Sequence, residues 1–98
     1  MNIRLQQYAG SLIALQRQAD DLEQMLRDGI QRWAGQPSKA GLADTLRAIL
    51  ADSNAALALS GLCEGDQQWL HAKHDWAQDK LRQHGLEPAD AELPNANP

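Results

Sequence analysis

The chain has 98 residues, 43% of them hydrophobic, and a formal net charge of −4 at pH 7. This length predicts one domain with a single modest core. Val and Phe are absent and Tyr and Thr occur once each, which disfavours a β-sheet. Ala, Leu, Gln and Arg are abundant and favour helix, so the composition predicts an all-α fold.

The negative charge is concentrated at the C-terminus. Residues 86–98 contain Glu87, Asp90 and Glu92 without a basic residue, whereas all nine Lys and Arg residues precede them together with ten of the 13 acidic residues. Such a nearly neutral body lacks the basic patch that phosphate binding needs, and it is not acidic enough to imitate DNA. These charges disfavour a nucleic-acid partner.

The first predicted helix covers residues 3–34 and has the heptad pattern of an amphipathic helix that packs against another helix. Its two seam positions hold an apolar or small residue through four heptads: Leu5, Tyr8, Leu12, Leu15, Ala19, Leu22, Leu26, Gly29 and Trp33. Gly35 and the following Pro37 are typical of a helix end, so the helix is predicted to stop there.

Two further helices are predicted, over residues 39–60 and 66–84, with Ser38 and Asp66 as their N-caps. Gly85 followed by Leu86 predicts a Schellman ending for the third helix. Residues 87–98 contain three Pro and no helical period, which predicts a disordered acidic tail after a single helical domain of residues 1–86.

The helices are predicted to form an antiparallel three-helix bundle, or a helical hairpin with a long first helix. At 1.5 Å per residue the first helix would be roughly 48 Å long and the second roughly 33 Å. Part of the first seam would then overhang and need a protein partner or a second copy of the chain. The alternative is a closed monomer in which the third helix covers that part.

A cluster of polar side chains in the third helix is the candidate for chemistry. His71, His74 and Asp75 lie within one turn, a spacing that suits two metal ligands and a carboxylate if further ligands come from elsewhere. Histidines at the edge of a core, or a pH-sensitive interface, are the alternatives. The sequence has no HExxH motif and no glycine-rich phosphate loop, and it predicts no cofactor.

The single cysteine and the N-terminal stretch bear on location. Cys63 is alone, which excludes an internal disulfide and suits a reducing compartment. Gln6, Gln7 and Ser11 interrupt the N-terminal apolar run, so neither a signal peptide nor a membrane span is predicted. We expect a cytoplasmic protein with no membrane partner.

These patterns favour a non-enzymatic module that binds a protein partner, or a second copy, through the seam of the first helix. In size and helicity the chain resembles small helical chaperones, adaptors and antiactivators of bacterial and phage systems. Tryptophan is enriched at binding hot spots, so Trp69 and Trp76 join the candidates, although they would equally serve as core. The expected partner-binding residues are Leu5, Tyr8, Leu12, Leu15, Leu22, Leu26, Trp33, Trp69 and Trp76. The alternatives are a metal- or ligand-binding protein that uses His71, His74 and Asp75, and a nucleic-acid-associated regulator.

Overall fold

The structure is a computed structural model that describes residues 3–86. It contains three helices, α1 (Ile3–Arg27), α2 (Ser38–Leu57) and α3 (Glu64–Gln83). Two short strands, β1 (Arg32–Trp33) and β2 (Gln36–Pro37), form a hairpin between α1 and α2. The predicted all-α, three-helix fold is confirmed, and the predicted tail lies outside the described residues.

The first helix ends at Arg27, so the predicted end near residue 34 is wrong. Gly29 has a φ of +81°, and the amide of Gly29 donates to the carbonyl of Leu26 while that of Ile30 donates to the carbonyl of Met25. These two bonds make a Schellman motif with Gly29 as its left-handed residue. Gly29 therefore ends the helix instead of occupying its seam.

The chain after α1 turns through a tight hairpin. Ala34 and Gly35 both have positive φ values, +50° and +82°, as in a two-residue type I′ turn. Trp33 therefore lies on a strand, where it pairs with Gln36. Its ring covers the start of α2, because a Cβ added at Gly41 would come within 2.9 Å of its Cε3.

The boundaries of α2 and α3 also differ from the prediction. Pro37 occupies the N-cap position of α2, so Ser38 is its first helical residue and makes no capping bond. Cys63 caps α3, with its Sγ accepting from the amide of Asp66, so α3 begins two residues earlier than predicted. The Schellman ending is confirmed by the positive φ of Gly85 and the 2.8 Å bond from the amide of Leu86 to Leu81.

Side-chain hydrogen bonds define the directions of the helices. Ser11 bonds Asp52 and Gln18 bonds Thr45, so α1 and α2 are antiparallel. Lys73 bonds Gln16 and Lys80 bonds Glu23, so α3 runs parallel to α1. The core lies between the three helices and consists of Leu5, Leu12, Ala19, Leu22, Leu42, Leu46, Ile49, Ala56, Leu70, Ala77 and Leu81.

The large predicted difference in helix length is therefore wrong. α1 has 25 residues and α2 and α3 have 20 each, or about 38 Å against about 30 Å. None of the helices within residues 3–86 is long and apolar enough to cross a membrane.

Candidate functional site

The seam of α1 is largely used inside the chain. Leu5, Leu12 and Leu22 are at most 2% exposed and belong to the same core cluster as residues of α2 and α3. Tyr8, Leu15 and Leu26 are half-buried and pack against that cluster. The half-buried residues at the edges of the seam are therefore accessible to a partner, whereas the leucines at its centre are not.

The three tryptophans occupy different surroundings. Trp33 lies on the hairpin against Gly41, whereas Trp69 and Trp76 are half-buried on α3. A lysine ammonium lies over each of the latter rings, Lys73 at 5.1 Å from the Trp69 centroid and Lys80 at 5.7 Å from that of Trp76. Trp33 lies on β1 and therefore shares no helix face with Trp69 and Trp76.

A groove of about 380 Å³ opens between the first halves of α1 and α3. We call it the α1–α3 groove, and its lining consists of Leu5, Ala9, Ile13, Gly65, Asp66 and Trp69. Its lining is apolar except for Asp66, and Ile13 is 47% exposed. Its lining is more apolar than that of the cleft between α1 and α2 described below.

Small residues keep this groove open. Ala9 and Gly65 lie on opposite walls, and the nearest atom to a Cβ added at Gly65 would be Sγ of Cys63, at 3.9 Å. Sequence reasoning missed Ala9 and Ile13 because neither occupies a seam position. The available signal was a large apolar residue, Ile13, that lies off the seam between the seam residues Leu12 and Leu15.

Charges of opposite sign flank the groove. Glu64 and Asp66 lie in the first turn of α3, where acidic side chains are favoured by the helix dipole. Toward the middle of the bundle, Lys73 donates to Oε1 of Gln16 at 2.6 Å, and Arg17 is exposed on α1. Asp66 is thus the charged member of the lining, and Lys73 lies beyond the end of the groove at Trp69.

A buried carboxylate joins α1 to the end of α3. Glu23 is 7% exposed, and its oxygens accept from Nζ of Lys80 at 3.0 and 3.1 Å and contact Nε2 of His84 at 2.8 Å. Arg27 adds an ion pair at 3.2 Å. Burial alone would raise the pKa of Glu23, but the hydrogen bonds from His84 and Lys80 and the charges of Lys80 and Arg27 lower it below its ordinary value.

The predicted metal candidates do not assemble into a ligand set. His71 and Asp75 are exposed, and the closest contact in the cluster joins Nδ1 of His74 to Oδ1 of Asp75, at 3.7 Å. Within residues 3–86, no three His, Cys, Asp or Glu side chains are grouped so that they could hold a metal ion. His71 and Asp75 are four residues apart and lie on one face of α3, whereas His74 is turned about 100° from Asp75 around the helix, so the three side chains do not converge on one point.

A second, more polar cleft of about 530 Å³ lies between α1 and α2. Arg4, Tyr8 and Leu59 contribute to its lining, and the hydrogen bond from Ser11 to Asp52 crosses between its two helices at 2.8 Å. That bond serves to connect α1 with α2.

Comparisons with known proteins give no relative from which a function could be transferred. The chain has no significant match among models of protein families, curated proteins or solved structures.

Proposed function

We propose that this protein is a non-enzymatic helical module that binds another protein chain through the α1–α3 groove and the adjoining edge of the α1 seam. Such a module would act as a small adaptor, chaperone or inhibitor. The observation that carries the proposal is an apolar groove that is open to solvent between α1 and α3. The buried faces of both helices already pack in the core of the chain, so the groove is left without a partner. An apolar side chain entering it from a partner would be removed from water against Ile13 and Trp69.

The composition of the groove supports binding of a protein rather than of a polar metabolite. Trp69 offers a large aromatic surface of the kind that dominates binding energy at interfaces. Ile13 stands on the opposite wall with about half of its surface in solvent. Asp66 is the polar member of the lining, so most of the contact would come from apolar burial.

The short polar contacts of the bundle have structural roles. Glu23, Lys80 and His84 connect α1 to the far end of α3, away from the groove. Ser11 and Asp52 connect α1 to α2 on another side of α1. These side chains hold the helices in register, which supports a rigid binding surface rather than a reaction centre.

Site-directed photo-crosslinking tests the proposal. A photoreactive phenylalanine derivative at Ile13 would lie on the groove wall, and the same derivative at Ile30 gives a matched control, since Ile13 and Ile30 are 47% and 45% exposed. In cells that naturally make the protein, we expect a covalent adduct with a protein chain from position 13 and not from position 30.

The test is decided by which labelled position gives an adduct, whatever the crosslinked protein is. Irradiation that gives no adduct at position 13, or the same adducts at both positions, would contradict binding through the groove. Circular dichroism of both labelled proteins would establish that each still forms its helices.

A further inference from the structure

We infer that the α1–α3 groove binds a lysine or arginine side chain of the partner protein, with the charged head of that side chain at Asp66 and its alkyl stem against Ile13 and Trp69. The inference rests on the proposed function and adds the chemistry of the partner. Its basis is a contact that repeats along the junction of α1 and α3 and lacks its cation at the groove.

Two lysines of α3 make the same pair of contacts one heptad apart. Each lies over the ring of the tryptophan four residues before it, with Nζ at 5.7 Å from the ring centroid for Lys80 and 5.1 Å for Lys73. Lys80 also donates to Glu23 on α1 at 3.0 Å, and Lys73 donates to Gln16 on α1 at 2.6 Å. In both contacts a lysine therefore connects an aromatic ring of α3 with an oxygen acceptor of α1.

The same spacing, carried back by one more heptad, reaches the middle of the groove. Both lysines contact an α1 residue 57 positions earlier in the chain. With this offset, Ala9 of α1 lies level with Asp66 of α3, about 10.5 Å before the contact of Lys73. Ala9 and Asp66 both line the groove. The groove is therefore the place where a third contact of the series would fall.

The two residues at this third position do not complete the contact within the chain. Ala9 offers only a methyl group, whereas α1 has a polar acceptor at the other two positions. Asp66 is half-buried, and within residues 3–86 its carboxylate makes no ion pair and no hydrogen bond. In the described part of the chain, the third position thus has an anionic acceptor and open space but no cation.

A basic side chain fits this combination of an apolar lining and one carboxylate. Lysine and arginine have an alkyl stem that packs on apolar surface and a charged head that pairs with an anion. In the groove, the stem would be removed from water against Ile13 and Trp69, and the head would form a charge-assisted hydrogen bond with Asp66. A purely apolar side chain would instead cover the carboxylate without pairing it, which is unfavourable.

An acidic segment is a poorer match for the groove, and the C-terminal residues of this chain are of that kind. Residues 87–98 contain Glu87, Asp90 and Glu92 but no Lys or Arg. They would bring further negative charge toward Asp66. A basic segment of another protein is the better match, because its charge is complementary to that of the groove.

Two peptides that differ only in one charged head test the inference by NMR titration of the full chain. One peptide has a lysine between two leucines, and the other has norleucine at that place, which keeps the four-carbon stem and lacks the ammonium group. Both peptides are acetylated and amidated. We expect the lysine peptide to shift the amide signals of Ala9, Ile13 and Gly65, with a dissociation constant at least about fivefold lower than that of the norleucine peptide.

Asp66→Asn should remove this preference for lysine, because the change keeps the shape of the side chain and removes its charge. Glu64→Gln is the matched control. It removes the same charge from the same helix turn, but Glu64 does not belong to the groove lining. We therefore expect Glu64→Gln to leave the preference nearly unchanged. The amide spectra of both variants also report whether each protein keeps its fold.

The inference is overturned if the two peptides bind equally or if neither shifts the signals of the groove. It is also overturned if Asp66→Asn retains the preference for lysine or if Glu64→Gln loses it as well. The proposed function is tested separately. If the peptides bind equally and position 13 still crosslinks to a protein in cells, the groove binds a partner through apolar contacts and the basic side chain is wrong.

Discussion

Ser38 shows at the scale of one residue how the fold departs from its sequence pattern. A serine just after Gly-x-Pro suggests an N-cap, yet its Oγ lies fully buried without a hydrogen-bond partner. Pro37 takes the cap position because the hairpin ends there, and the amide of Ser38 bonds the carbonyl of Gln31 at 2.8 Å. The hydroxyl is therefore desolvated without compensation.

Replacing Ser38 by Ala should stabilise the protein. The change removes an unpaired buried hydroxyl, whose desolvation costs about 1–3 kcal/mol, so we expect the free energy of unfolding to rise by about 1 kcal/mol. Urea denaturation followed by circular dichroism measures it. Ser53→Ala is the matched control, because Ser53 is equally buried but donates to the carbonyl of Ile49 at 2.8 Å. If Ser38→Ala is no more stable than Ser53→Ala, the buried hydroxyl of Ser38 does not destabilise the fold and the prediction is wrong.

The end of α1 shows, at the scale of an element, what the sequence could predict. Three helices and the Schellman ending at Gly85 follow from local patterns, and both are present. The end near residue 34 was misplaced because Trp33 falls on a heptad position by coincidence, although it lies in a hairpin. Only the backbone reveals that Gly29 already has a left-handed conformation.

Two glycines of the predicted first helix should respond oppositely to alanine. Gly29→Ala forces a Cβ into a left-handed backbone, so we expect a loss of about 1–2 kcal/mol in the free energy of unfolding. Gly10 lies in the helix with open space around an added Cβ, so Gly10→Ala should gain about 0.5–1 kcal/mol. Urea denaturation at one fixed protein concentration compares them. Equal effects of the two changes would contradict the helix end at Arg27.

The α1–α3 groove belongs to the scale of the whole molecule, which explains why it could not be predicted. Its walls come from residues 5–13 and 65–69, and their distance depends on how both helices pack on α2. The heptad pattern predicts that the centre of the α1 seam binds a partner, but the residues at that centre are buried in the chain's own core. Ala9 and Ile13 become candidates only once the position of α3 is known.

The link between α1 and α3 should make stability depend on pH through Glu23. Its pKa is lowered in the folded chain from an ordinary value of 4.5, so the ionised form is favoured by folding. This contribution is complete above pH 4.5 and is lost as the pH falls below that value through the lower folded pKa. Acid should therefore weaken the attachment of α3 to α1.

Glu23→Gln isolates this effect from the other carboxylates. We expect the wild-type chain to be more stable than the variant at neutral pH, and the difference to shrink as the pH falls below 4.5. Urea denaturation of both proteins across that range measures the difference. A difference that stayed constant with pH would show that the charge of Glu23 does not stabilise the fold.

The 57-residue separation between α1 and its contacts on α3 also orders the assembly of the protein. Contacts between α1 and α2 close shorter loops, such as the 27 residues between Gln18 and Thr45, and closing a shorter loop costs less entropy. The α1–α2 hairpin and the α2–α3 hairpin can each form by closing such short loops, and the groove exists only when α1 and α3 are both packed on α2. A chain that occupies the groove binds only the completed fold. A higher concentration of that chain therefore shifts the equilibrium toward molecules in which α3 is packed in place.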